Sequence, residues 1–518
     1  MTFSSRRREP PDDPHGDKST LRLRRIGIDT YQEPVIYMAA DCPVCLAEGW
    51  EASTRIEVHH ADHTIVATLN VVTGDLLAPD EASLSEAAWR MLGASEGDML
   101  TLAHPRPLSS LRHLRAKVHG ARLDASAVLE IIRDISTGSY SAIELAAFVA
   151  ACAGGRLDQG EIIALTSAMV DVGERLSWPG RSVIVDKHSV GGLPGNRTTM
   201  LIVPIVTACG LTMPKTSSRG ITSPAGTADA METVAPVTLD VPTMRRVVER
   251  EGGCIVWGGA VRLSPADDVI IRVERPLDID SEGQLVASVL SKKLAAGSTH
   301  VVIDIPVGPT AKVRTTLAAE ELSRTLVTVG QAVGLHVDVA LGDGSQPIGR
   351  GMGPALEARD VLAVLRREGG GPNDLEERAL VLAGRLLELG GAATSGEGYD
   401  AARRVLHDGN AYRKFEAICE AQGGMREPTT APFSMTTRAP SPGRITGMDS
   451  RRLARTAKLA GAPRAHAAGL DLHVRLGADV DREQPLFTLH AESPGELAYA
   501  RAYAEANTDM IDLLSGKE

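Results

Sequence analysis

A chain of 518 residues, 43% hydrophobic and 23% charged, has the apolar mass for several packed cores, and at ~100–200 residues per domain it divides into three or four. Its formal charge of -11 and its 3% aromatic content argue against a nucleic-acid binder, which needs a basic face and rings on which bases can stack. Six cysteines in this length make no disulfide framework. The longest apolar run, Met200 to Ala208, is too short for a bilayer and contains Pro204, so a cytoplasmic protein with no membrane partner is expected.

Residues 1–20 are basic and then rich in Pro and Asp, which reads as a disordered tail. From 21 to 107 the texture is that of a small β-rich domain. Arg55–Val58 and Thr64–Val72 are rich in Ile, Val and Thr and are bounded by turn residues. From 108 to 181 the period becomes helical. Asp124 is placed to cap a helix through Ile135. Ser141 with Glu144 forms a capping-box pattern ahead of Ile143, Leu145, Phe148 and Val149, and Asp158 with Glu161 repeats it ahead of Ile162, Leu165 and Met169. These segments predict a helical lobe, with a later contribution near 270–295.

Residues 182–427 alternate β-branched runs (Val183–Val185, Val301–Ile305, Val337–Leu341) with helical stretches such as Ala355–Arg367 and Leu375–Leu389. That alternation predicts an α/β lobe with a mainly parallel sheet, which binds ligands beyond the carboxyl ends of its strands. The Pro/Thr/Ser-rich 428–442 stretch reads as a linker. Residues 443–518 predict an α+β terminal domain, with strands at Leu472–Leu476 and Pro485–Leu489 and a closing helix near Glu496–Leu514. The whole is a multidomain α/β protein without internal repeats.

Two segments carry chemistry. In the first, the strand Val183–Val185 runs into Asp186–Lys187–His188–Ser189–Val190–Gly191–Gly192 and then Pro194–Gly195–Asn196–Arg197–Thr198–Thr199, with a helix from about Thr198. Glycine lets the backbone approach an anion, a helix start points free N–H groups at it, and Lys187, Ser189 and Thr199 add a charge and hydroxyl donors. The second runs from Lys215 to Asp229. It holds six hydroxyl residues and Arg219 within thirteen positions, ahead of a helix with Asp229 and Glu232 in its first turns. Either alone could be an ordinary turn or polar loop; together in one lobe they predict an anion pocket.

The Asp186–Gly192 block, Ser218–Arg219–Gly220 through Gly226–Thr227–Ala228–Asp229 and Glu232, and Ala287–Ser288–Val289–Leu290–Ser291–Lys292–Lys293 together resemble the signature of the thymidine phosphorylase family. The extra N-terminal domain, Pro194–Gly195–Asn196 and Thr222–Ser223–Pro224–Ala225 are similar to its longer branch, which includes AMP phosphorylases. The resemblance implies a nucleoside phosphorylase/phosphoribosyltransferase-like fold, usually dimeric, that uses inorganic phosphate as co-substrate with no cofactor or metal. It implies a reaction in which thymidine and phosphate give thymine and 2-deoxyribose 1-phosphate, or in which a nucleoside 5'-monophosphate such as AMP gives base and ribose 1,5-bisphosphate.

Carried over by position, Lys187, Ser189, Thr199, Ser217 and Thr227 would cradle phosphate, and His188, Ser288 and Lys292 would contact a pyrimidine. The AMP-type pattern instead implies Gly192, Ser218, Arg219, Gly220, Ile221, Thr222, Ser223, Thr227, Ser288 and Lys312 as nucleotide contacts, with Asp280 as proton donor. The arginine that grips pyrimidine in the shorter enzymes is matched only by Arg275, displaced by about two residues and followed by Pro276, which favours a nucleotide.

Independently of the family, phosphate beside a cation-like sugar both stabilises its charge and attacks the anomeric carbon, while Lys187 and the hydroxyls orient it. The leaving base needs a proton, from Asp280 or His188. Asp280, beside Asp278 and Glu282, donates near neutrality only if burial raises its pKa. A phosphoribosyltransferase would need a diphosphate and magnesium, yet neither loop offers a carboxylate pair for the metal. A non-enzymatic nucleotide-binding regulator is the remaining alternative.

Other signals point to structure. Cys42–Pro43–Val44–Cys45 lacks a second pair at zinc-ribbon spacing, so reduced thiols near a histidine cluster (His59, His60, His63) are favoured over a zinc site. Gly349–Arg350–Gly351–Met352–Gly353 lacks full dinucleotide spacing and reads as a close-packed turn. His466, His473 and His490 read as structural.

Overall fold

The computed structural model describes residues 20–191, 193–220, 223–261, 263–277, 279 and 281–514. The expected N-terminal tail therefore lies almost wholly outside the described residues. By packing, the chain up to Ala121 together with Arg133–Val149 forms one unit, and Arg122–Ile132 with Ala150 onward forms a second. No helix among the described residues is long and apolar enough to cross a membrane.

The first unit opens with a closed six-stranded barrel. Around it run Thr20–Leu23, Glu81–Leu84, Val35–Ala39, His63–Val72, Arg55–His60 and Met99–Ala103. Alternation fills its interior: Ile65, Ala67 and Leu69 of one strand point inward against Ile56, Val58, Ile36 and Leu84. Closure removes the open edges that a sheet this small would otherwise expose. In the same unit the Ser141 capping box forms, with the Ser141 N–H donating to Glu144 at 2.7 Å and the Glu144 N–H to Ser141 Oγ at 3.3 Å. Ile143, expected on the apolar face, is instead 82% exposed.

The second unit is built on parallel strands. His336–Asp343, His300–Val307 and Val185–Ser189 lie side by side, with Asp304 opposite Ser189. Met213–Ser217 pairs in parallel with Gly253–Trp257 and adjoins the first set through the Ile184–Thr212 bridge. All five strands run the same way, so their carboxyl ends gather Ser189, Ser217, Trp257, Val307 and Asp343 on one side. The helix Thr198–Ala208 is buried from Thr198 to Thr207 and packs against the helices Asn373–Leu389 and Asn410–Gln422. Such a helix reads as apolar all round because protein surrounds it. The helix Glu282–Ala295 packs on Gln159–Asp171, whose Asp158–Glu161 capping box forms as the spacing predicts.

Three expectations for the C-terminal part are corrected. Phe433–Arg438, inside the stretch read as a linker, is a strand paired with Pro485–Ala491. Its Met, Thr and Phe residues supply strand propensity that the flanking prolines obscured. The expected closing helix spans only Pro494–Ala506; Ile511–Leu514 is a strand paired with Gly443–Met448. The strand expected at Leu472–Leu476 runs instead over Gly469–Leu472, between Gly351–Met352 and Pro485–Ala491.

Candidate active site

The first loop is positioned by buried charge. Asp186 sits between two lysines: Lys215 donates to its Oδ1 at 3.0 Å and Lys293 to its Oδ2 at 2.7 Å, all three buried. The same groups hold the backbone of Lys187, whose N–H donates to Asp186 Oδ1 at 2.7 Å and whose carbonyl accepts from Lys215 at 2.9 Å. Burial alone would raise the Asp186 pKa, but Lys215 and Lys293 outweigh it and hold the carboxyl below its ordinary range. Burial pulls Lys293 down to about 7 against the opposing pull of Asp186.

A second buried carboxylate, Asp304, organises the side chains of the loop. Its Oδ1 accepts from Arg378 at 2.6 Å, and its Oδ2 accepts from Ser189 at 2.7 Å and Asn196 at 3.1 Å. Lys187 Nζ lies 3.6 Å from the same oxygen. The bonds between them have a direction. Lysine has only donors, so Lys187 donates to Thr198 Oγ1 (2.8 Å), Thr198 to Asn196 Oδ1 (3.0 Å), Asn196 to Ser189 Oγ (3.0 Å), and Ser189 to Asp304. Ser189 is thus committed to a carboxylate here, and an incoming anion must compete for its proton. Burial lowers the Lys187 ammonium to about 8, with Asp304 pulling upward and Arg378 and Arg197 pushing down.

The second loop is organised by Asp229. Its Oδ2 accepts from the Gly220 and Gly226 N–H groups, and its Oδ1 from Arg219 at 3.1 Å. Arg219 also pairs with Glu232 and lies 4.9 Å over the Trp257 ring. Its charge is therefore spent inside the protein. A Cβ at Gly226 would overlap the Ser218 carbonyl oxygen, so glycine is what lets the two ends of the loop meet. Ser218 is exposed, and the Ser223 hydroxyl donates to the Ala225 carbonyl at 2.7 Å. Among the described residues Ser217 Oγ, which is buried, has no hydrogen-bond partner, and Thr199 is 5% exposed at the start of the 198–208 helix.

Arg197 joins the two loops. It donates to Glu357, to Thr227 Oγ1 at 3.0 Å and to the Ala225 carbonyl at 3.0 Å. Gly195, at φ +75°, makes the turn between the Gly-rich segment and this helix, and a Cβ there would overlap the Ile348 carbonyl oxygen.

On the 282–295 helix, Ser288 and Lys292 stand one turn apart, with Lys292 Nζ 3.5 Å from Ser288 Oγ and 2.5 Å from Asp267. Burial disfavours the Lys292 charge, but Asp267 outweighs it and raises the pKa. His188 is driven the other way: burial, then Lys293, Lys215, Lys292 and Lys187, hold it well below its ordinary value. Its imidazole is neutral near pH 7, so it serves as a hydrogen-bonding group rather than a cationic acid. Lys312 is exposed in the turn after the 300–307 strand, where Arg451 grips the Thr310 and Ala311 carbonyls. Gly192, Ile221, Thr222 and Asp280 lie outside the described residues.

Sequence reasoning missed Asp304, Arg378, Glu357 and the Asp186–Lys215–Lys293 triad as organisers of the site. The periodicity of strand 300–307 hides Asp304 among apolar neighbours. Two lysines and an acid spread across more than a hundred residues leave no local pattern. An open cavity of about 350 Å³ lies beside Asp304 and Arg378. Asp343, Asp374 and Glu377 also line it, and four carboxylates to one cation suit a phosphate badly.

The signals read as structural can also be placed. Cys42 and Cys45 are buried free thiols, and Cys45 Sγ lies 3.8 Å from Met38 Sδ. His59 pairs with Glu57 and His60 with Asp98. The Gly349–Gly353 stretch, expected as a close-packed turn, instead contains the short strand Gly351–Met352, and side chains added at Gly351 and Gly353 would overlap the Leu356 and Ala468 backbones. His473 bonds Thr488 at 2.8 Å.

Comparison with known proteins agrees with this plan. The family model for the a/b domain of the glycosyl transferase family matches residues 181–412, that for its helical bundle domain matches 111–173, and that for the pyrimidine nucleoside phosphorylase C-terminal domain matches 444–510. A protein of Polaromonas sp. (strain JS666 / ATCC BAA-500), named "Putative thymidine phosphorylase", is 64% identical over 494 residues, covering 95% of this chain and 96% of its own. Proteins of the same name from Hahella chejuensis and Legionella pneumophila (strain Corby) are 57% and 56% identical, over 95% of this chain and 97% and 95% of theirs. The crystal structure of anthranilate phosphoribosyltransferase from Thermus thermophilus superposes with a TM-score of 0.50 at 20% identity, covering 60% of this chain and 98% of that one, a likeness of fold alone. Matched along nearly its whole length, the chain belongs to the thymidine phosphorylase family of glycosyl transferases.

Proposed function

We propose that this protein is a pentosyltransferase that cleaves an N-glycosidic bond with inorganic phosphate, with thymidine as substrate and thymine and 2-deoxyribose 1-phosphate as products. The observation that carries the reading is a buried ammonium, Lys187, within the strand Val185–Ser189, while Ser217 Oγ, buried and without a hydrogen-bond partner among the described residues, closes the adjoining parallel strand Met213–Ser217. A buried hydroxyl without a partner costs about 1–3 kcal/mol, a cost that a bound oxyanion removes.

In this reading Lys187, Ser189, Thr199, Ser217 and Thr227 hold the phosphate against the anomeric carbon. As the bond loosens, the phosphate charge stabilises the developing cation and one of its oxygens forms the new C–O bond. Electrons of the breaking C–N bond go to the base. Neutral His188, with Ser288 and Lys292, hydrogen-bonds the base and stabilises the charge it gains. Asp280 is the proton-donor candidate where the substrate is a nucleotide such as AMP and a free purine leaves.

A nucleoside 5'-monophosphate such as AMP is the second reading, favoured by Pro276 within the helix Pro265–Leu277, next to the displaced Arg275. The pairing of Arg219 with Asp229 and Glu232 weighs the other way, because it withdraws that loop's cation from a second phosphate. The test is a panel of nucleosides and nucleotides incubated with phosphate and scored for free base. Thymidine is expected to release thymine in strict proportion to phosphate consumed. Base release from AMP and CMP but not thymidine overturns the substrate and leaves the reaction class.

A pH effect follows from Lys187. Its ammonium titrates at about 8 without ligand, and phosphate dianion binds the protonated form. The kcat/KM for phosphate is therefore expected to fall as pH rises through about 8, approaching tenfold per pH unit. The linkage to stability has the opposite sign: with the folded pKa below the ordinary 10.5, the folded state binds fewer protons than the unfolded one, so stability rises with pH across that window. A profile of kcat/KM flat to pH about 9.5 would remove Lys187 from the phosphate site.

A further inference from the structure

Arg197 is 8% exposed, and its three described partners are acceptors: Glu357, the Ala225 carbonyl and Thr227 Oγ1. A guanidinium carries donors and no acceptor. Thr227 Oγ1 must therefore accept from Arg197, and its single proton must be directed elsewhere. Among the described residues no group accepts that proton. Ser223 differs, since its own proton goes to the same Ala225 carbonyl that Arg197 holds. Glu357 is buried and also accepts from the Gly353 N–H at 3.2 Å, so the guanidinium is anchored at its other end by a group that is itself held.

We propose that Arg197 is the positioning residue of the phosphate site: it reaches from the first loop to the second, holds the Thr227 hydroxyl as a donor toward the bound phosphate, and pins the second loop through the Ala225 carbonyl. The inference rests on the phosphorolytic reading, in which Thr227 touches phosphate. A neighbour able both to give and to accept would let the hydroxyl turn. A donor-only neighbour does not, so Thr227 favours a ligand that presents lone pairs, as phosphate dianion does. The arrangement also makes Arg197 act through Thr227 rather than on the anion, which sets a specific pattern for paired substitutions.

The test uses the full chain, with inorganic phosphate as the probe in calorimetric titration and steady-state kinetics on whichever substrate the wild type cleaves. Three variants are compared: Thr227→Val, the paired Arg197→Met with Glu357→Gln (which leaves no unpaired buried carboxylate), and all three changes together. Each of the first two is expected to weaken phosphate binding about tenfold and to raise KM for phosphate more than it lowers kcat, and the triple variant is expected to bind no worse than either. Arg197→Lys, still donor-only, is expected to recover part of the binding.

Losses that multiply in the triple variant overturn the inference. So does an Arg197 variant that melts earlier yet binds phosphate like the wild type. If the Arg197 variants do not fold, Thr227→Val carries the test, and phosphate binding equal to the wild type overturns the inference. Wild-type protein that binds phosphate but releases base from no substrate sinks the proposed reaction and leaves the binding comparison intact.

Discussion

Replacing Lys187 with Met is expected to lower kcat/KM for phosphorolysis by about 10³-fold, or roughly 4 kcal/mol of transition-state stabilisation, with little loss of stability. The asymmetry comes from how Lys187 is buried. It is 1% exposed and gives its charge to Asp304 and one hydrogen bond to Thr198. Removing one member of a buried pair usually costs about 3–5 kcal/mol because the other is stranded. Here Asp304 keeps Arg378 at 2.6 Å, together with Ser189 and Asn196. Methionine keeps most of the lysine volume and removes a charge that burial disfavours. Activity lacks that cushion, since Arg378 is held on the other oxygen of Asp304, and Lys187 is the cation on the oxygen that Ser189 shares. Thermal melting and kinetics on the same preparation decide it, and parallel losses in both would make the loop structural. Lys187→Ala should show the same order, with a further stability loss from the cavity.

Asp186→Asn carries the opposite signature. The carboxylate is the shared acceptor of Lys215 and Lys293 and also receives the Lys187 N–H. An amide of the same shape leaves Lys215 and the partly protonated Lys293 buried without a counter-charge, and a loss of about 3–5 kcal/mol is expected at pH 7. Without the carboxylate that opposes burial, Lys293 would release its proton in the folded state below the wild type's about 7, so the deficit should shrink as pH rises through about 7. Adding Lys293→Met should recover part of the stability at pH 7. Urea unfolding of wild type, single and double variants at two pH values gives the comparison. A deficit that is small, or independent of pH, would mean that the triad holds no ion pair.

The two loops proposed to bind phosphate were legible because their signal is local. Asp186–Gly192 and Ser217–Thr227 each compress glycine, hydroxyl and cationic residues into a short stretch, and the Gly-bearing turn between strand 185–189 and helix 198–208 follows from composition alone. Helix starts were legible for the same reason: the Asp158–Glu161 and Ser141–Glu144 boxes are patterns of four residues. The strand at Phe433–Arg438 was not, because prolines and serines on both sides mark a loop while the pairing that makes it a strand comes from Pro485–Ala491, some fifty positions on.

Lys187, Ser189, Thr199, Ser217 and Thr227 were visible in the sequence as residues able to meet an anion, because donor chemistry belongs to each side chain wherever it sits. Which of those donors are already spent was decided only by tertiary structure. The register that sets Asp304 opposite Ser189 turns that hydroxyl inward. Asp229 and Glu232, which read as ordinary acids of a first helical turn, neutralise Arg219. Arg197, near Lys187 in the chain, finds its use at Thr227 and Glu357 across 30 and 160 residues. A hydrogen bond has a direction and each proton is given once, so the working half of a polar loop depends on partners that only the folded chain brings within about 3 Å.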